Sequence, residues 1–186
     1  MTGLFQLPNT HIHIMIPSSL PTFTAVPLVR TGIPITVAVL RAKGACEEGV
    51  KLFVERYGED GAPDYQEVLH ALAESSSTSI ANWLMRAMGA AQTETVVEGG
   101  LEVVGNVFVA GSLRVHGGIK AVDGIKAGMG IKAGWGIEAG WVQCSLRIFA
   151  GLVAWRLPEP HELEIRAELR GGTIAHGVLV EPAKND

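Results

Sequence analysis

Six histidines, two cysteines and a scatter of carboxylates are the groups in this chain whose types and spacing could carry chemistry. His11 and His13 stand two apart, so on a strand they share a face. Such a pair holds a metal if a third ligand arrives from elsewhere. No cysteine or carboxylate lies near them in sequence, and the competing reading is a strand that buries Ile12, Ile14 and Ile16 and leaves the histidines exposed. Cys46 and Cys144 have neither disulfide nor zinc spacing and read as two inert thiols of a reducing cytoplasm. Glu55, Glu59, Asp60, Asp64 and Glu67 form an acidic run, which is either a binding patch, centred on Glu59 and Asp60, or a solvated helix face. Lys120, Lys126 and Lys132 stand six apart among glycines. Those glycines lie between short strands of a repeat, not between a strand and a helix N-terminus, so they are not a phosphate loop. No catalytic, cofactor or metal constellation emerges.

The elements that must position these groups follow from composition. The chain has 186 residues, 23 of them glycine, with 18% charged residues and a net charge of −4. Average chains run near 7% glycine and about 25% charged. A hydrophobic content of 47% argues against disorder, and the glycines lack the every-third spacing of collagen. A pI of 5.9 gives no general attraction to phosphate, so nucleic-acid binding is not expected. The early apolar run Ile12–Ile16 is far short of a bilayer span and follows no basic n-region. The expectation is a cytoplasmic protein without membrane contact.

Twelve of the 23 glycines lie between Gly99 and Gly140, where the chain repeats every six residues. The first position of each hexad is Leu101, Val107, Leu113, Ile119, Ile125, Ile131 and Ile137. The third is Val103, Val109, Val115, Ala121, Ala127, Ala133 and Ala139. Residues two apart on a strand share a face. Each hexad is therefore a very short strand with two inward side chains and a glycine corner. Three hexads close one triangular coil of 18 residues, which stacks Leu101/Ile119/Ile137 and Leu113/Ile131 in columns. The outward column Glu102/Lys120/Glu138 then alternates in charge, as neighbouring strands favour. Lys120, Lys126 and Lys132 fall on three different faces and make no basic stripe.

The predicted fold class is α+β: a short triangular β-helix with a small N-terminal three-helix unit and a C-terminal β-hairpin. Residues 1–42, which hold five of the nine prolines, read as an extended arm with short β-type runs at His11–Ile16 and Ile35–Leu40. Residues 43–89 carry three amphipathic stripes: Cys46, Val50, Phe53, Val54 and Tyr57; Tyr65, Val68, Leu69 and Leu72; and Ile80, Trp83, Leu84 and Met88. Asp64 with Glu67 has the spacing of a capping box. The β-helix is expected over 99–157, degrading from Gln143 with a register shift at Ile148-Phe149. In 158–186, Glu162–Leu169, Gly171-Gly172 and Thr173–Val180 read as a hairpin that caps the tube. Trp135 and Trp141 take the fifth, corner position of consecutive hexads, with Met129 before them. Facing outward, they make a contact surface; facing inward, they plug the tube. One candidate partner for that surface is the chain's own helical unit, and another is a second copy in a homo-oligomer.

Two resemblances rest on these residues. The alternating hexads with glycine corners over 99–142 resemble the core of bactofilins, which implies a polymer-forming scaffold. Ala45-Cys46, Gly49, Phe53, Trp83-Leu84, the Gly-Ile-Lys-Ala-Gly units and Ile148-Phe149-Ala150-Gly151 with Trp155 resemble uncharacterised proteins of phages, prophages and genomic islands. That resemblance covers most of 43–180. It implies a mobile-element setting, in which small proteins often block host machinery, CRISPR–Cas complexes included, so a host protein is the implied partner. A third alternative is a hexapeptide-repeat acyltransferase with His116 as general base. Those enzymes place the small residue two before the large aliphatic, whereas here Ala127 follows Ile125. The leading expectation is a non-enzymatic interaction protein.

Overall fold

A computed structural model describes residues 26–180. The expected strand at His11–Ile16 and the His11/His13 pair lie outside the described residues. Among the described residues four helices come first: α1 (Val37–Ala42), α2 (Glu47–Tyr57), α3 (Tyr65–Glu74) and α4 (Thr78–Met88). Nine strands follow: β1 (Glu94–Val97), β2 (Leu101–Val103), β3 (Val107–Val109), β4 (Ser112–Val115), β5 (Ile119–Ala127), β6 (Ile131–Ala133), β7 (Ile137–Phe149), β8 (Glu164–His176) and β9 (Val178–Val180). All of the strand pairings are parallel, and together they form a β-solenoid of about 5 turns. The chain is thus α+β with a β-helix.

The 18-residue coil is present in the register. Leu101 pairs with Ile119 and Ile119 with Ile137, while Leu113 pairs with Ile131. These aliphatics are buried in one core inside the tube, with Val109, Ala127 and Cys144 stacked on another side. Glu102, Lys120 and Glu138 form the expected outward column, and Lys120 Nζ lies 3.9 Å from Glu138 Oε1. The repeat starts earlier than expected: β1 already stacks on β4, with Thr95 opposite Leu113 and Val97 opposite Val115. It also slips earlier. Gly124 pairs with Trp141 rather than with residue 142, because β5 carries two residues, Val122 and Asp123, where β7 carries only Gly140. From there the spacing is 17, so Ile131 lies opposite Ile148.

The C-terminal hairpin is corrected. β8 runs through Gly171-Gly172 and lies parallel to β7, with Ile137 opposite Ile165 and Ile148 opposite Ile174. β9 then stacks parallel on the start of β8. Gly171 and Gly172 pack against Gln143 and Cys144, a close approach along a further coil where a hairpin turn was expected. Ile165 and Ala167 are buried inside the tube like every earlier Ile-x-Ala pair.

The three helices expected over 43–89 are α2, α3 and α4, and a fourth, α1, precedes them. The Ile35–Leu40 run is extended only as far as Thr36: Thr36 Oγ1 accepts from Val39 N at 3.2 Å and caps α1, which buries Val37 and Leu40. Burial of that i, i+3 pair outweighs the strand preference of the β-branched residues. A second core, separate from the tube interior, joins α1–α4 to the solenoid's outer wall through Phe108, Ala110 and Trp141. Gln66 on α3 is buried there, donating Nε2–H to Phe108 O and accepting from Ala110 N, both at 2.8 Å. A side-chain amide thus completes the backbone bonding of the solenoid strand beneath it. Among the described residues no helix is long and apolar enough to cross a membrane.

Candidate interaction surface

Between β7 and β8 the solenoid departs from its period. Ile137 and Ile165 are neighbours across 28 residues where a coil takes 18, so about ten residues, lying between the buried Ala150 and β8, leave the tube. Gly151 N donates to Trp135 O at 3.2 Å and Leu152 N to Ala133 O at 3.1 Å, so the segment departs alongside Trp135. A short 3-10 turn, Pro160–Leu163, leads back into β8.

The segment is held by one buried carboxylate. Glu162 accepts two bonds from Arg156, at 2.7 and 2.6 Å, and a third from Glu159 N at 2.7 Å. These donors, the guanidinium first, pull the Glu162 carboxyl down to about 2. A bidentate guanidinium fixes geometry as well as charge. The residues on either side of Arg156 are turned into solvent: Trp155 is 76% exposed and Leu157 89%. Leu152 and Trp135 are also exposed, Trp135 at 46%. Four large apolar side chains on a pinned segment and its neighbouring corner are unusual on a surface where such groups are normally scattered.

A groove of about 860 Å³ lies beside the segment. Its floor is the charge column, extended by one member, since Glu138 pairs with Arg166. Trp135, Arg156, His161 and Glu162 are among its walls. A second hollow, about 420 Å³, sits where the helical unit meets the solenoid and is lined by Thr78, Asn106, Asp123, Trp141 and Arg170.

The structure separates the residues that the sequence grouped together. Trp135 is exposed, whereas Trp141 is only 8% exposed. The Trp141 ring lies over Gly124, 6.5 Å from the Phe108 ring and 5.1 Å from the Arg170 guanidinium carbon. It belongs to the core shared with the helical unit. Met129 is half-buried, and Glu59 and Asp60 are exposed just past the end of α2. His116 is exposed and pairs with Glu98 at 2.9 Å, lining neither hollow. The three lysines do diverge: Lys120 meets Glu138, Lys132 meets Glu94, and Lys126 is buried with Nζ 2.7 Å from Asn82 Oδ1. Burial, with Arg86 nearby, pushes the Lys126 amine down. Cys46 is an exposed N-cap rather than a helix-interior thiol, and Cys144 is a buried one whose thiol burial pushes up. Among the described residues no three His, Cys, Asp or Glu side chains gather as a metal site.

Sequence reasoning missed Leu152, Trp155 and Leu157 as a surface. The signal was available: Leu-Val-Ala-Trp-Arg-Leu-Pro is apolar, lacks hexad spacing and ends in proline. Compared with known proteins, the chain matches no protein family, no curated protein and no solved structure.

Proposed function

We propose that this chain is a non-enzymatic protein–protein interaction protein whose binding surface is the Trp155–Leu157 flank with Trp135. The observation that carries this reading is the Arg156–Glu162 pair. It turns a ten-residue departure from the solenoid into a rigid display of apolar side chains. Pre-ordering them lowers the entropic cost of binding, and exposed tryptophan is a favoured anchor at interfaces. The sharpest form is a mobile-element protein that blocks host machinery, such as an anti-CRISPR, acting in the cytoplasm. That form rests on the sequence resemblance; the surface supports only the interaction itself. Affinity capture from a bacterial host, run in parallel with wild type and a W155S/L157S variant, tests it. The reading expects a partner held by wild type and lost by the variant while the circular dichroism stays the same. An identical set of captured proteins overturns it.

A further inference from the structure

We propose that helix α2 of a second copy of this chain lies along the charged groove. The inference rests on reading this flank as an interaction surface, and it names a partner for the groove. Glu102, Lys120, Glu138 and Arg166 occupy successive strands β2, β5, β7 and β8. Parallel strands stand about 4.8 Å apart, so the column runs negative, positive, negative, positive over about 14 Å.

Helix α2 carries a complementary row. Glu47, Lys51 and Glu55 fall at i, i+4 and i+8, so they line one face in the order negative, positive, negative. All three are exposed, and Lys51 Nζ lies 3.8 Å from Glu55 Oε1. The helix has 11 residues, about 16 Å at 1.5 Å per residue, close to the length of the column. Its row spacing of about 6 Å differs from the strand spacing by little more than 1 Å, which long side chains absorb. With the helix axis along the stack, Glu47 meets Lys120, Lys51 meets Glu138 and Glu55 meets Arg166. Glu59 and Asp60 then extend the acidic end beyond Arg166. Leu52, 48% exposed beside Lys51, comes to the Trp135 side of the groove. Arg166 also pairs with Glu164 at 2.6 Å, so Glu55 joins that pair as a second carboxylate, and the alternating charge order sets the register between partners.

Light scattering on purified protein over a concentration series tests the pairing. The proposal expects a mass above the 19.7 kDa of one chain, falling back as salt approaches about 1 M, where the screening length is about 3 Å. Glu55→Lys sets a cation against Arg166 and weakens association about tenfold or more. It sits on a solvated helix face, so its melting curve matches wild type. Arg166→Gln, on the groove side, weakens association in the same direction. A mass of one chain at every concentration overturns the proposal. So does association indifferent to both salt and Glu55→Lys. The W155S/L157S variant keeps the two readings apart: self-association that survives in it while host capture is lost supports both.

Discussion

Gln66 ties the helical unit to the solenoid by hydrogen bonds. Its side chain is buried and makes two 2.8 Å bonds to the backbone at Phe108 and Ala110. Gln66→Ala removes both and leaves a buried carbonyl and a buried N–H without partners. Each orphaned group costs about 1–3 kcal/mol, so the pair should cost about 2–4 kcal/mol once local relaxation is allowed. For a chain of this size that lowers Tm by roughly 4–16 °C. Gln66→Glu should fall at least as far, because it keeps an acceptor for Ala110 N–H but turns a carboxylate oxygen toward the Phe108 carbonyl. Gln92→Ala, at an exposed glutamine, is the control and should change little. Urea and thermal unfolding measure the loss, and amide exchange should show α3 and α4 loosening before the solenoid. A Gln66→Ala loss below about 0.5 kcal/mol, no larger than a surface change, would refute the reasoning.

Three further outcomes follow from the packing. Gly124→Ala places a Cβ inside the Trp141 ring and should cost about 1–3 kcal/mol, read by urea unfolding, with a smaller loss in a Trp141→Phe background. His70 has a buried Nε2 without a hydrogen-bond partner, and burial, partly opposed by Glu74, holds its pKa below the ordinary value. The neutral form is therefore the folded one. Its contribution is present above about pH 6.5 and is lost as pH falls through the lowered pKa, so the urea midpoint should drop on acidification in wild type and less in His70→Gln. Glu162 is held down to about 2, chiefly by Arg156, so its contribution is present above the ordinary carboxylate range and lost as pH falls toward that value. The 150–163 segment should stay protected from exchange at about pH 3.5 in wild type and open in Arg156→Gln.

The solenoid was legible because its period is short and its chemistry repetitive. Leu101, Ile119 and Ile137 could be stacked from spacing alone, and the register agrees. The coil carrying Ile165 is masked in the sequence, although Ile165-Arg166-Ala167 repeats the Ile-x-Ala unit. The departing 150–163 segment hid its phase, and Gly171-Gly172 imitates a hairpin turn. The site divided in the same way. Trp135 and Trp141 occupy equivalent hexad positions, yet only one is exposed, because the helical unit covers the solenoid's outer wall at Phe108 and Trp141. Val107-Phe108-Val109 is apolar without alternation, and all three residues are buried, which marks a strand covered on both faces. The Arg156–Glu162 clamp could not be read ahead of the fold, since two charges six residues apart acquire meaning only when the segment between them bends back.

The display of Trp155 and Leu157 as a binding surface is tested most directly by amide exchange on the complex with the captured partner. The account predicts slowed exchange across 150–160 and around Trp135. Exchange in that segment that is the same with and without the partner would contradict it.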